Sequence, residues 1–283
     1  MTPGGAARSV ERAGDRSAGA APVRRLARAG YVARGVVYAV MGAVALRVAI
    51  GAGGAPTDSK GAIATVATAP FGRVLVLALA AGLTGMALWT LVEAIGDPER
   101  RRRAGTWAAL SRLGQAVAGA GYAALALAAV RLATGGSAGP SGDRAAEAWT
   151  ARALALPGGR WLVLAGAAVA AFVGGRQIWL GVRRRFLEKL DVGAMSAPVR
   201  RCASVLGTAG LAAQGTVFVL VGAFFAFAAL RRSSREAAGF DGALAAIAAQ
   251  PSGAALLGAV ALGLLAYAAF SVVEGRHGRL GGR

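Results

Sequence analysis

The sequence predicts an all-α integral membrane protein: six transmembrane helices arranged as three parallel two-helix hairpin repeats, with short amphipathic segments on the outer face. Three observations predict it. The 283 residues are 56% apolar and only 16% charged, against about 45–50% and about 25% in globular chains. A mean hydropathy of +0.55 sits beside a formal charge of +19, a combination that suits lipid-buried spans flanked by basic loops. The same helix–turn–helix pattern also occurs three times along the chain. Disorder of the whole chain is excluded, because disordered chains carry too few apolar residues to bury a core.

The spans follow in order. Apolar stretches run over residues 30–50, 74–95, 113–130, 161–182, 203–230 and 254–273. About 20 helical residues cross the ~30 Å hydrocarbon core, and these lengths suit that figure. Helices are required because lipid satisfies no open backbone group. No alternation of polar and apolar residues points to barrel strands. The third stretch is the shortest, closed by Arg112 and Arg131, whose long stems can snorkel outward. Before the first span, residues 1–25 form a basic tail rich in Gly, Ala, Ser and Arg that reads as disordered. The tail holds no apolar h-region, and Arg24-Arg25 reads as a cytoplasmic flank rather than an export signal.

The repeat is visible at fixed spacings. Gly30, Gly35 and Tyr38 match Gly114, Gly119 and Tyr122, and then Gly210, Gly215 and Phe218. GAIATVATAPFG at 61–72 matches GALAAIAAQPSG at 242–253, and Glu93 and Glu274 each stand 23 residues past the proline. Repeat 2 is more diverged but keeps Pro157-Gly158-Gly159 before its second span. The copies cover 26–98, 109–186 and 202–279. Two spans per copy give all three the same orientation, so the repeats are parallel. Ile63 with Val66, and Leu244 with Ile247, mark short amphipathic helices stopped by the proline.

Orientation follows from the basic residues. The side holding both tails and the 96–112 and 183–201 connections collects 21 Arg or Lys, Arg34 at the mouth of the first span among them; the other side collects ten. The bias places both termini in the cytoplasm of a bacterial plasma membrane. The positive-inside pattern accounts for the arginine runs and for a pI near 11.8, so no nucleic-acid partner is expected. The expected partners are anionic lipid headgroups at the cytoplasmic loops and an unidentified membrane protein.

With these residues in place, the chain resembles a family of bacterial membrane proteins of unknown function built from a tandem two-helix repeat. The residues carrying the resemblance are Tyr31-x-x-Arg34-Gly35, Pro70-Phe71-Gly72-Arg73 and their counterparts, over about 90% of the chain. Repeat 2 departs from the pattern, with Ala118 where repeat 1 has Arg34. The resemblance implies the six-span fold and brings no established activity.

Few residues offer chemistry. One cysteine, Cys202, and one histidine, His277, supply neither a metal cluster nor a nucleophile–base pair. No catalytic residue, metal or cofactor is expected, and the chain reads as no enzyme. Gly35 with Gly42, Gly215 with Gly222, and Gly119 with Ala126 lie seven apart, near two helical turns, and read as helix-packing faces. Trp89, Trp107, Trp161 and Trp179 fall near span ends, as an interfacial belt would place them. The candidate polar residues within the spans are Arg34, Glu93, Arg176, Gln214 and Glu274. Arg34 and Glu93 share a depth and are expected to pair. Arg176 lies deeper and requires a carboxylate, Glu274 or Glu93, because an unaccompanied charge within lipid is costly. Two functional readings result: a membrane scaffold or interaction protein, and a small transporter or channel with a polar site between repeats.

Overall fold

The computed structural model describes the backbone of residues 4–96, 106–140 and 142–278 and the side chains of 26, 28–91, 114–140 and 142–278. Among the described residues there are nine α-helices and no β-strand, apart from one isolated bridge between Leu190 and Gly278. Six helices hold spans: α1 (Gly4–Ala49), α3 (Gly72–Gly96), α4 (Thr106–Ala133), α6 (Gly159–Val182), α7 (Ala197–Arg231) and α9 (Gly253–His277). Each contains a segment long and apolar enough to cross a membrane. Three shorter helices connect the two spans of each repeat on one face: α2 (Ser59–Ala67), α5 (Gly142–Leu154) and α8 (Phe240–Ala248). We call that face the lid side and the opposite face, which carries the end of α9 and the link between repeats 2 and 3, the link side. Helix α1 begins within the stretch that composition reads as a disordered tail. Ala and Arg, which are frequent there, are among the strongest helix formers, while the membrane-length part is confined to Arg28–Ala49.

Local chemistry sets the ends. Asp58 caps α2 by accepting from the Gly61 amide at 2.9 Å, as N-terminal acids do. The turn into the second span passes through left-handed backbone at Phe71 (φ 60°) in repeat 1 and at Gly158 (φ 74°) in repeat 2. Glycine takes that conformation without steric cost.

The spans pack in the order α4–α3–α1–α9–α7–α6. Three of these contacts are seams between repeats: the first span of one copy lies on the second span of the copy before it. These are α1 on α9, α4 on α3 and α7 on α6. Two are contacts within a repeat, α1 on α3 and α7 on α9. Among the described residues the sixth contact, which would close the ring, is missing: α4 and α6 of repeat 2 share no packed face there. The lid-side helices press into the bundle, with Ile63 of α2 and Leu244 of α8 wholly buried.

Candidate functional site

Glycines build the seams, and the seams set the position of every polar group. Side chains added at Gly35 and Gly42 would meet the α9 backbone, at Ala268 O and Ala261 O, both 3.0 Å away. One at Gly215 would come within 2.6 Å of Gly174 O, and one at Gly222 within 2.8 Å of Ala167 O, both on α6. One at Gly119 would come within 2.9 Å of Thr90 Oγ1 on α3. Small residues at these places let helices approach backbone to backbone.

At the α1–α9 seam, Arg34 donates to Glu274 at 2.6 Å and to Ser271 Oγ at 3.2 Å. Its guanidinium lies over the rings of Tyr31 (4.8 Å) and Tyr267 (5.1 Å). Arg34 is 8% exposed, so charge, hydrogen bonds and ring faces together replace the water it has lost. One turn further in, Gln214 of α7 donates to the Tyr38 hydroxyl of α1. Tyr38 packs edge-on against Tyr267, with centroids 4.8 Å apart. Side chains from repeats 1 and 3 thus make one polar cluster in the middle of the bundle.

The structure gives Arg34 a partner that the sequence reading did not assign to it. Arg34 takes Glu274, from another repeat, because the seam brings α9 to its level; the side chain of Glu93 lies outside the described residues. Glu274 is therefore already engaged. Arg176 is exposed, and among the described residues it has no carboxylate within 4.0 Å. Trp89 is buried, at 9% exposed, rather than at the lipid interface, whereas Trp161 (72%) and Trp179 (48%) are open. The side chain of Trp107 lies outside the described ones.

A cavity of about 260 Å³ opens beside the cluster on the link side. Arg34 and Glu274 line it, α6 contributes Arg176 and Gln177, and the link contributes Lys189. A larger hollow of about 340 Å³ near Arg160, Trp161 and Arg232 contains none of the site residues predicted from the sequence.

On the lid side, sequence reasoning missed a junction of three acids, one from each repeat. Asp143 of α5 accepts from the amides of Gly239 (2.6 Å) and Gly242 (3.0 Å), holding the start of α8. Asp241 lies against Asp143, with Asp58 nearby. Burial and then the Asp143 carboxyl push Asp241 up to about 6 from 3.8. The available signal was one acid near the start of each lid-side segment, at registers that the repeat alignment does not superpose.

Three homologous helix pairs, spans of membrane length and glycine-built seams define a multi-pass membrane protein made of parallel repeats. The chain belongs to the family described as Domain of Unknown Function (DUF1206), whose pattern it matches three times, at residues 29–97, 113–184 and 209–278. It is similar to the uncharacterized protein YxxB of Bacillus subtilis (strain 168), with 33% identity over 254 residues, covering 89% of this chain and 90% of that protein. No solved structure matches.

Proposed function

We propose that the protein is a non-enzymatic scaffold of the bacterial plasma membrane, a fixed bundle that offers surface to a membrane-embedded partner. The observation that carries this reading is the apolar plug on the lid side of the Tyr38–Gln214 contact. Met41, Ile63, Val217, Leu244, Leu257 and Leu264 are each 0% exposed, and close packing of this kind leaves no room for hydrated solute. The sequence's one cysteine and one histidine support the non-enzymatic part of the reading. The asymmetry of basic residues supports cytoplasmic termini. Cysteines placed in either tail of a Cys202→Ser protein should then escape an impermeant maleimide in intact cells; labelling of both tails would reverse the orientation.

The second reading, a small transporter or channel, is favoured by the cavity that joins Arg34, Arg176 and Glu274. Proteoliposomes separate the two. The scaffold reading expects chloride, phosphate and proton fluxes no greater than in empty vesicles. A flux that Arg34→Ala removes would establish transport instead.

A further inference from the structure

We propose that the link-side cavity binds the phosphate headgroup of an anionic phospholipid, which enters sideways between α4 and α6. The argument begins with charge. The cavity is lined by Arg34, Arg176 and Lys189 against one carboxylate, Glu274. Arg34 and Glu274 are committed to each other at 2.6 Å. Arg176 and Lys189 remain, both exposed and neither within 4.0 Å of a carboxylate among the described residues. An arginine carried on a membrane span is costly unless something neutralises it. A phosphodiester suits that role: the guanidinium fork engages two of its oxygens, while Lys189 adds a point charge and Gln177 a neutral donor.

Depth and access identify the source of the phosphate. Lys189 lies on the link just past α6, and Trp179, half exposed with Arg185 stacked 5.4 Å from its ring centroid, marks the interfacial level. Basic pockets between helices at this level suit anionic headgroups. Repeat 2 provides the lateral route. Among the described residues its two spans share no packed face, and side chains added at Gly121 of α4 or at Gly166 and Gly175 of α6 would meet nothing within 4 Å. A cavity of about 260 Å³ is sized for a headgroup while the acyl chains stay in the bilayer. Val173 and Leu180, also on its wall, supply the apolar surface the glycerol end requires. The assignment does not depend on the scaffold reading, since a lipid can occupy this site whether or not solute crosses.

The test uses the full-length protein in mild detergent, with melting followed in the presence of dioctanoyl phosphatidylglycerol, dioctanoyl phosphatidylcholine or inorganic phosphate at equal concentration. Phosphatidylglycerol alone should raise the melting temperature, and native mass spectrometry should show one such lipid retained. Arg176→Gln with Lys189→Gln should weaken the apparent affinity at least about tenfold, as expected for losing hydrogen bonds to a charged group. Both positions are exposed, so melting without lipid should not change. Leu180→Glu provides an independent check, because its carboxylate would occupy Arg176 and repel the phosphodiester; it too should abolish retention. The proposal is overturned if either variant folds and retains the lipid as the parent does, or if phosphatidylcholine matches phosphatidylglycerol. It is overturned equally if inorganic phosphate reproduces the shift, because the site would then belong to a free anion.

Discussion

In repeats 1 and 3 the two spans lie against each other, α1 on α3 and α7 on α9, whereas α4 and α6 of repeat 2 are each held by a neighbouring repeat. The contrast extends to burial. In its most apolar 18-residue stretch α6 has 17% of its positions buried, against 44% for α9. It extends to chemistry as well, since repeat 2 has Ala118 and Leu180 where repeats 1 and 3 place Arg34, Gln214 and Glu274. All three seams between repeats nevertheless form, each with a small-residue face on the first span. The difference teaches that seams, rather than hairpins, hold this bundle together. A repeat can lose its internal contact and keep its place, and in doing so it leaves a side opening in the ring.

The largest effect should come from the ion pair of the α1–α9 seam, for which repeat 2 has no equivalent. Arg34→Ala strands Glu274 in a site where its side chain is 19% exposed, and removing one member of a buried pair costs about 3–5 kcal/mol. The double change Arg34→Ala with Glu274→Ala should cost less than the sum of the singles, read as melting in detergent. Strict additivity would mean that the seam is held by its glycines alone.

A smaller effect sharpens the same comparison. Gly215→Leu and Gly42→Leu place side chains against a facing helix backbone or side chain within about 3 Å and should each cost about 1–3 kcal/mol through overpacking. Gly121→Leu and Gly166→Leu, in the open faces of repeat 2, should stay within about 0.5 kcal/mol of the parent. Similar losses at all four positions would show that α4 and α6 do meet in the membrane.

Much of this was legible in the sequence, and the failures share a cause. Span positions follow from apolar length, and the threefold pattern from Gly35, Gly119 and Gly215 with their matching spacings. The partner of Arg34 did not follow. Repeat alignment compares positions within a unit, which made Glu93 its natural mate, but packing runs between units and delivers Glu274. The same rule rationalises Gln214, whose seam faces α6, where Leu180 stands in place of a carboxylate. A neutral side chain fits there, and it turns to Tyr38. Trp89 was misplaced for a related reason: proximity to a span end does not say which face the seam will cover. The acid junction depends on the starts of three lid-side segments coming together near Gly142, and one-dimensional spacing carries no trace of that meeting.

The smallest expected effect concerns a polar contact by which repeat 2 grips repeat 3 on the lid side. Asp143 holds the first turn of α8 through two amides, and Asp241 packs against it with its carboxyl raised to about 6. A carboxyl whose value in the folded state lies above its unfolded value favours folding when protonated. Its contribution is therefore complete below about pH 4 and fades as pH rises through about 6. Asp241 is part-exposed and the water around it screens the charge, so the change should amount to about 2–4 °C in melting temperature, the shift that roughly 1 kcal/mol produces in a chain of this size. Asp241→Asn, which keeps the shape and removes the titration, should flatten the melting profile between pH 5 and about pH 7. If the parent profile is already flat across that window, Asp143 does not raise the Asp241 carboxyl, and the lid of repeat 2 rests on the Asp143 amide contacts and the packing of Ala146 on Ala228 and Ala237.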